Sequence, residues 1–151
     1  MNLSDHFTLA EATVSQTAAR MGIDNTPDDA MIAEIRKTAE FMEGVRSTLG
    51  KPITVTSWYR CPDLERAVAG IAPGRPLSGH HPLGAAVDFI CPGYGTPLQV
   101  AQRLAGWVDN LGVGQLIYEF GSWVHISRLP VAPINRIITI DQRGVQVGIV
   151  P

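Results

Sequence analysis

Apolar and polar positions follow two different periods along this chain. In the first third, Met31, Ile35, Met42, Val45 and Leu49 fall near one helical face, and Gly50 supplies a stop. Thr26-Pro-Asp-Asp29 opens that helix, with a cap at Thr26, proline at the first helical position and acids toward the positive end of the macrodipole. Upstream, Thr8-x-x-Glu11 has the form of a capping box and predicts a helix reaching about Met21, ended by Gly22. Further on, Pro52-Ile-Thr-Val-Thr-Ser57 is β-branched and reads as a strand, Pro62 opens a short helix to about Ala69, and Ala85 to Cys91 reads as a second strand. Thr96-Pro97 caps another helix through about Leu111. In the last third, Gln115 to Phe120 and Trp123 to Ser127 form one expected hairpin. Arg136 to Ile140 and Val145 to Val150 form another, about Asp141-Gln-Arg-Gly144. Strands clustered late, with helices ahead of and between them, predict an α+β fold: a mostly antiparallel sheet packed with helices from the N-terminal half.

Length and composition narrow this picture without redirecting it. A chain of 151 residues suits one domain, 1–151, with a single core, and 45% hydrophobic against 17% charged residues marks a globular protein. A formal charge of −2 and scattered basic residues give no reason to expect a nucleic-acid partner. No apolar run approaches the roughly 18 residues of a membrane span, so no membrane insertion is expected. Met1-Asn-Leu-Ser-Asp-His6 lacks a signal peptide's basic and apolar regions, so synthesis in the cytoplasm is expected, and the chain is expected to be a monomer. Cys61 and Cys91 form neither a disulfide framework nor a CxxC zinc spacing and are read as free thiols, with a single bridge as the alternative.

The chemistry concentrates in Ser78-Gly-His-His-Pro-Leu-Gly-Ala-Ala-Val-Asp88, which runs on into apolar Phe89-Ile90. Aspartate is depleted in strands, and a buried carboxylate costs several kcal/mol, roughly, unless it is paired or bound to a metal. Zinc accepts imidazole nitrogen and carboxylate oxygen, and its catalytic sites use three protein ligands plus an open position. His81 and Asp88 supply two candidates, with His80 a competitor beside the first. Outside this segment only His6 and His125 remain, and His125 lies in the alternating stretch Trp123-Val-His-Ile-Ser127. His125 is therefore taken as the third ligand.

His81-x-x-Gly84-x-Ala86-x-Asp88 followed by Trp123-Val-His125 resembles the M15 family of zinc D-Ala-D-Ala carboxypeptidases and peptidoglycan endopeptidases, especially its phage endolysin branch. Phe7-Thr-Leu-Ala-Glu11, Ser57-Trp-Tyr-Arg60-Cys-Pro-Asp-Leu64 and Leu116-Ile-Tyr-Glu-Phe120 extend the likeness over nearly the whole chain. The resemblance implies a zinc peptidase acting on peptidoglycan stem peptides, with His81, Asp88 and His125 as ligands. It implies action on the cell wall after release or delivery. The family's spacing selects His81 over His80, which is left as an outer or substrate-facing group. Gly79 stands where the family usually has serine, with Ser78 one step further back, and Glu65 stands where it often has asparagine. Asp63, Glu65 and Arg66 are read as the solvated face of a short helix.

Arg60 matches the arginine with which the family holds a substrate carboxylate or the developing oxyanion. For the general base the family uses an acid or imidazole shortly before the last histidine. Here Glu119, six residues ahead of His125, is the nearest titratable group. Its role depends on the turn. A two-residue Gly121-Ser122 loop would send Glu119 to the face opposite His125, whereas a three-residue Phe120-Gly-Ser122 loop puts both on one face. Two other readings are weighed: a cysteine peptidase using Cys61 at a helix start, and a wall-binding or virion module in which a fourth ligand such as His80 closes the zinc sphere.

Overall fold

The computed structural model describes residues 1–130 and 136–151. Its elements are α1 (Leu9–Thr13), α2 (Gln16–Met21), α3 (Asp29–Leu49), β1 (Thr54–Ser57), α4 (Pro62–Ala69), β2 (Ala86–Ile90), α5 (Pro97–Ala105) and α6 (Val108–Leu111). They are followed by β3 (Val113–Glu119), β4 (Trp123–Arg128), β5 (Arg136–Asp141) and β6 (Gly144–Val147). The strands form one sheet in the order β1-β2-β4-β3-β5-β6, antiparallel throughout except for the parallel pair β3 and β5. The expected α+β architecture is therefore the one observed. Among the described residues no helix is long and apolar enough to cross a membrane.

The helices differ from the sequence reading in where they break and start. The capping box at Thr8 forms, but the first helix stops at Thr13: Val14 is extended, and the Ser15 hydroxyl accepts the Ala18 N–H to begin a new helix. The long helix starts at Asp28 rather than Thr26, because the Asp28 side chain accepts the Met31 N–H. The Thr26 N–H is instead taken by the Asp24 carboxylate in a local turn. The helix expected over Thr96 to Leu111 divides into α5 and α6 at Gly106-Trp107. Such local hydrogen bonds from Ser and Asp compete with helix continuation.

Alternation along the strands sorts chemistry from packing. Val87 and Phe89 of β2, Val124 and Ile126 of β4 and Leu116 of β3 join one buried cluster with Ile35, Ala39, Met42, Val45 and Leu49 of α3 and Val100, Ala101 and Leu104 of α5. The intervening residues Asp88, His125 and Ile117 therefore point away from that cluster, to the opposite face of the sheet. Asp88 pairs directly with His125 across β2 and β4, and with Ser57 across β1 and β2.

A buried polar network fastens the loop ahead of β2 to this frame. The Gly84 carbonyl accepts the Thr38 hydroxyl at 2.7 Å and the Trp58 indole N–H at 3.1 Å. Arg128 of β4 donates to Thr38 Oγ1 at 2.8 Å and to the Glu34 carboxylate at 2.7 Å. Gly84 has φ +67°, and a Cβ there would lie 3.0 Å from both Ile35 Cγ1 and Met31 Sδ. Gly84→Ala thus combines a left-handed backbone penalty of roughly 1–2 kcal/mol with an overpacking cost of roughly 1–3 kcal/mol. Urea unfolding should show a loss of that size, with the adjacent histidine loop displaced.

Candidate metal centre

Three elements bring the candidate ligands together. His81 opens a single turn of 3-10 helix, His81–Leu83, closed by Gly84 in the left-handed region. Its ring nitrogen Nδ1 is hydrogen bonded to the Trp58 carbonyl, which fixes the tautomer with Nδ1–H donating and Nε2 bare. Nε2 lies 3.4 Å from Asp88 Oδ2. His125 Nδ1 lies 2.8 Å from Asp88 Oδ1, and its Nε2 is buried without a hydrogen-bond partner. The two imidazole rings meet edge to face with centroids 5.1 Å apart.

One ligand atom each from His81, Asp88 and His125 fall within 4.8 Å of one another, and all three residues are buried. Donors at ordinary zinc distances of about 2.0–2.1 Å and tetrahedral angles stand roughly 3.3 Å apart, close to the separations present here. Two imidazoles and a carboxylate are also the donor chemistry that zinc accepts. The residues present fit a divalent cation, and they could hold one with little rearrangement. Burial pushes the Asp88 carboxyl upward, but His81 and His125 outweigh burial and hold it well below the ordinary range.

Glu119 is brought to the same place. The hairpin pairs Glu119 with Trp123, so its loop is the three-residue Phe120-Gly121-Ser122. That loop is made possible by left-handed Phe120 and Gly121, with φ 52° and 64°, and is closed by Ser122 N–H donating to the Glu119 carbonyl at 3.0 Å. A second anchor is the Phe120 N–H, which donates to the Ile140 carbonyl of β5 at 2.8 Å. Glu119 thus shares a face with His125, and its Oε1 stands 3.8 Å from His125 Nδ1. Burial first, then the negative charge of Asp88, raise its pKa above the ordinary glutamate value, against the opposing charges of His125 and Arg60.

Arg60 reaches the far side of Asp88, with Nη2 3.4 Å from Oδ2. The turn that carries it is pinned by buried Asn25, which donates to the Thr13 and Tyr59 carbonyls and accepts the Cys61 N–H at 2.7 Å. Glu65 corrects the sequence reading: it is 4% exposed rather than solvated, and it pairs with Arg60 Nη1 at 2.9 Å. Its burial goes with the ion pair to Arg60, which reaches it from the turn after β1. His80 stands outside the three-residue set, and burial, with His125 and His81 beside it, holds its imidazole below the ordinary value. Cys61 and Cys91 are both free thiols; Cys61 stands at the N-cap position of α4 without a side-chain capping bond, and Cys91 is buried.

No curated protein matches the chain. Residues 5–127, which contain His81, Asp88, His125, Glu119 and Arg60, match the family described as Peptidase M15. On that match, and with a buried His-Asp-His cluster in place for the ion that these metallopeptidases use, the chain belongs to the M15 peptidase family.

Proposed function

We propose that this protein is a zinc-dependent peptidase that hydrolyses an amide bond in peptidoglycan stem peptides, the kind of reaction carried out by phage endolysins. The observation that supports it most is the convergence of His81, Asp88 and His125 with a carboxylate, Glu119, 3.8 Å from His125 on the same sheet face. Three donors rather than four, with His80 outside the set, favour catalysis over a purely stiffening role for the metal.

In this reading His81, Asp88 and His125 would hold zinc. When bound, zinc supplies a Lewis acid that polarises the scissile carbonyl and acidifies water. Glu119 takes a proton from the attacking water as its oxygen adds to the carbonyl carbon. It then passes that proton to the amide nitrogen as the C–N bond breaks, releasing an amine and a carboxylate. The raised pKa of Glu119 suits a group that must both accept and return a proton. Arg60, itself paired with Glu65, steadies Asp88. Trp58 orients the His81 ring through its carbonyl.

Mass spectrometry of digested peptidoglycan, with added zinc and with chelator, tests the proposal. The expected result is one class of amide cleaved, each product pair heavier by one water than the parent, and only with zinc present. Undiminished cleavage after chelation, or intact stem peptides in the zinc-loaded reaction, would overturn it.

A further inference from the structure

All three nitrogens of Arg60 are engaged, through three of the five guanidinium N–H groups. Its Nε donates to Ser57 Oγ at 3.1 Å, Nη1 to Glu65 Oε1 at 2.9 Å, and Nη2 faces Asp88 Oδ2 at 3.4 Å. The side chain is 16% exposed and that of Glu65 only 5%. A guanidinium between two carboxylates, one of them almost wholly buried, has little attraction left for a third. The chain is also shaped to keep Glu65 there. A Cβ on Gly79 would lie 2.8 Å from Glu65 Oε2, so the missing side chain at Gly79 is what leaves room for the carboxylate.

Arg60 also forms part of the wall of a surface groove of about 500 Å³, shared with Val14, Ser15, Thr56, Ser57 and Tyr59. Arg60 is the one charged residue among those lining it, and its charge is already matched. The groove offers hydroxyl groups and apolar surface and, apart from the paired Arg60, no cation that could receive a terminal carboxylate.

We propose that Glu65, seated against Gly79, is a specificity-determining residue: by occupying Arg60 it directs the site to internal amide bonds of a longer chain rather than to a bond next to a free C-terminal carboxylate. This rests on the peptidase reading above and selects the endopeptidase form of it.

The test follows the Arg60 Nε–H signal by NMR in the zinc-free protein, titrated to millimolar levels with D-alanyl-D-alanine or its C-terminal amide. In the wild-type protein the free acid should move this signal no more than the amide does. In Glu65→Gln, which keeps the shape and removes the charge, the acid alone should move it. Gly79→Ala should act likewise, by displacing the carboxylate instead of neutralising it, and it serves if the first variant does not fold. In the zinc-loaded enzyme the same variants should lower KM for peptides ending just after the cut bond by about tenfold for the acid relative to the amide, with kcat little changed. A wild-type Arg60 signal that responds to the acid, or variants in which it does not, overturns the proposal. If the NMR result is as expected while wild-type protein leaves wall peptides intact, the peptidase reading alone falls.

Discussion

Asp88→Asn and His81→Ala should each remove zinc from the purified protein and reduce wall hydrolysis to background. Asp88 sits between both imidazoles and Arg60, with contacts of 2.8, 3.4 and 3.4 Å, and is the one residue that touches all three. His81 presents a bare Nε2 because its other nitrogen is committed to the Trp58 carbonyl. Loss of an outer-shell partner typically costs about 10–100-fold in metal affinity, and loss of a ligand should exceed that. Metal content by plasma mass spectrometry, measured beside circular dichroism, separates the outcomes. Wild-type zinc content in either variant would mean that the ion is held elsewhere.

Glu119→Gln should have the opposite division of effects: zinc retained, folding unchanged, and kcat lower by roughly 10²–10⁴-fold, the usual worth of a positioned acid–base group. The side chain touches the site but is not among the three clustered donors. Catalysis needs its ionised form, whose pKa burial and Asp88 raise above the ordinary value. The rate should therefore fall as pH drops and Glu119 becomes protonated. The residual activity of Glu119→Gln should lack that fall. A variant with full kcat would hand the proton to another group.

The sheet and the three convergent residues were largely legible from the sequence, for reasons visible in particular residues. Period-two alternation in Trp123-Val-His-Ile-Ser127 fixes which residues share a face with His125, and the donor chemistry and family likeness single out His81 and Asp88, while the pairing of Asp88 opposite His125 emerges only from the sheet register. The turn between Glu119 and Trp123 was not determined by alternation, since either loop length preserves it. Left-handed Phe120, a bulky residue that rarely adopts this conformation, settles the longer loop, and it is held there by a bond to β5 that lies 20 residues away. Helix limits failed at Val14-Ser15, Thr26 and Gly106, where one side-chain oxygen or one glycine decides between continuing and stopping.

Glu65 was misplaced for a different reason. A glutamate in the first turn of a short helix is ordinarily solvated, and only the arrival of Arg60, five positions earlier in the turn after β1, makes its burial tolerable. The network of Thr38, Arg128 and Gly84 was equally hidden, because its members are 46 and 90 residues apart in the chain. Tertiary pairs of this kind leave no periodic trace.

The most direct test is a crystal structure of the zinc-loaded protein with data collected at the zinc absorption edge. The expected result is a single anomalous peak within bonding distance of His81, Asp88 and His125, with solvent as the remaining ligand. A peak away from these residues, or a fourth protein donor closing the sphere, would contradict the account.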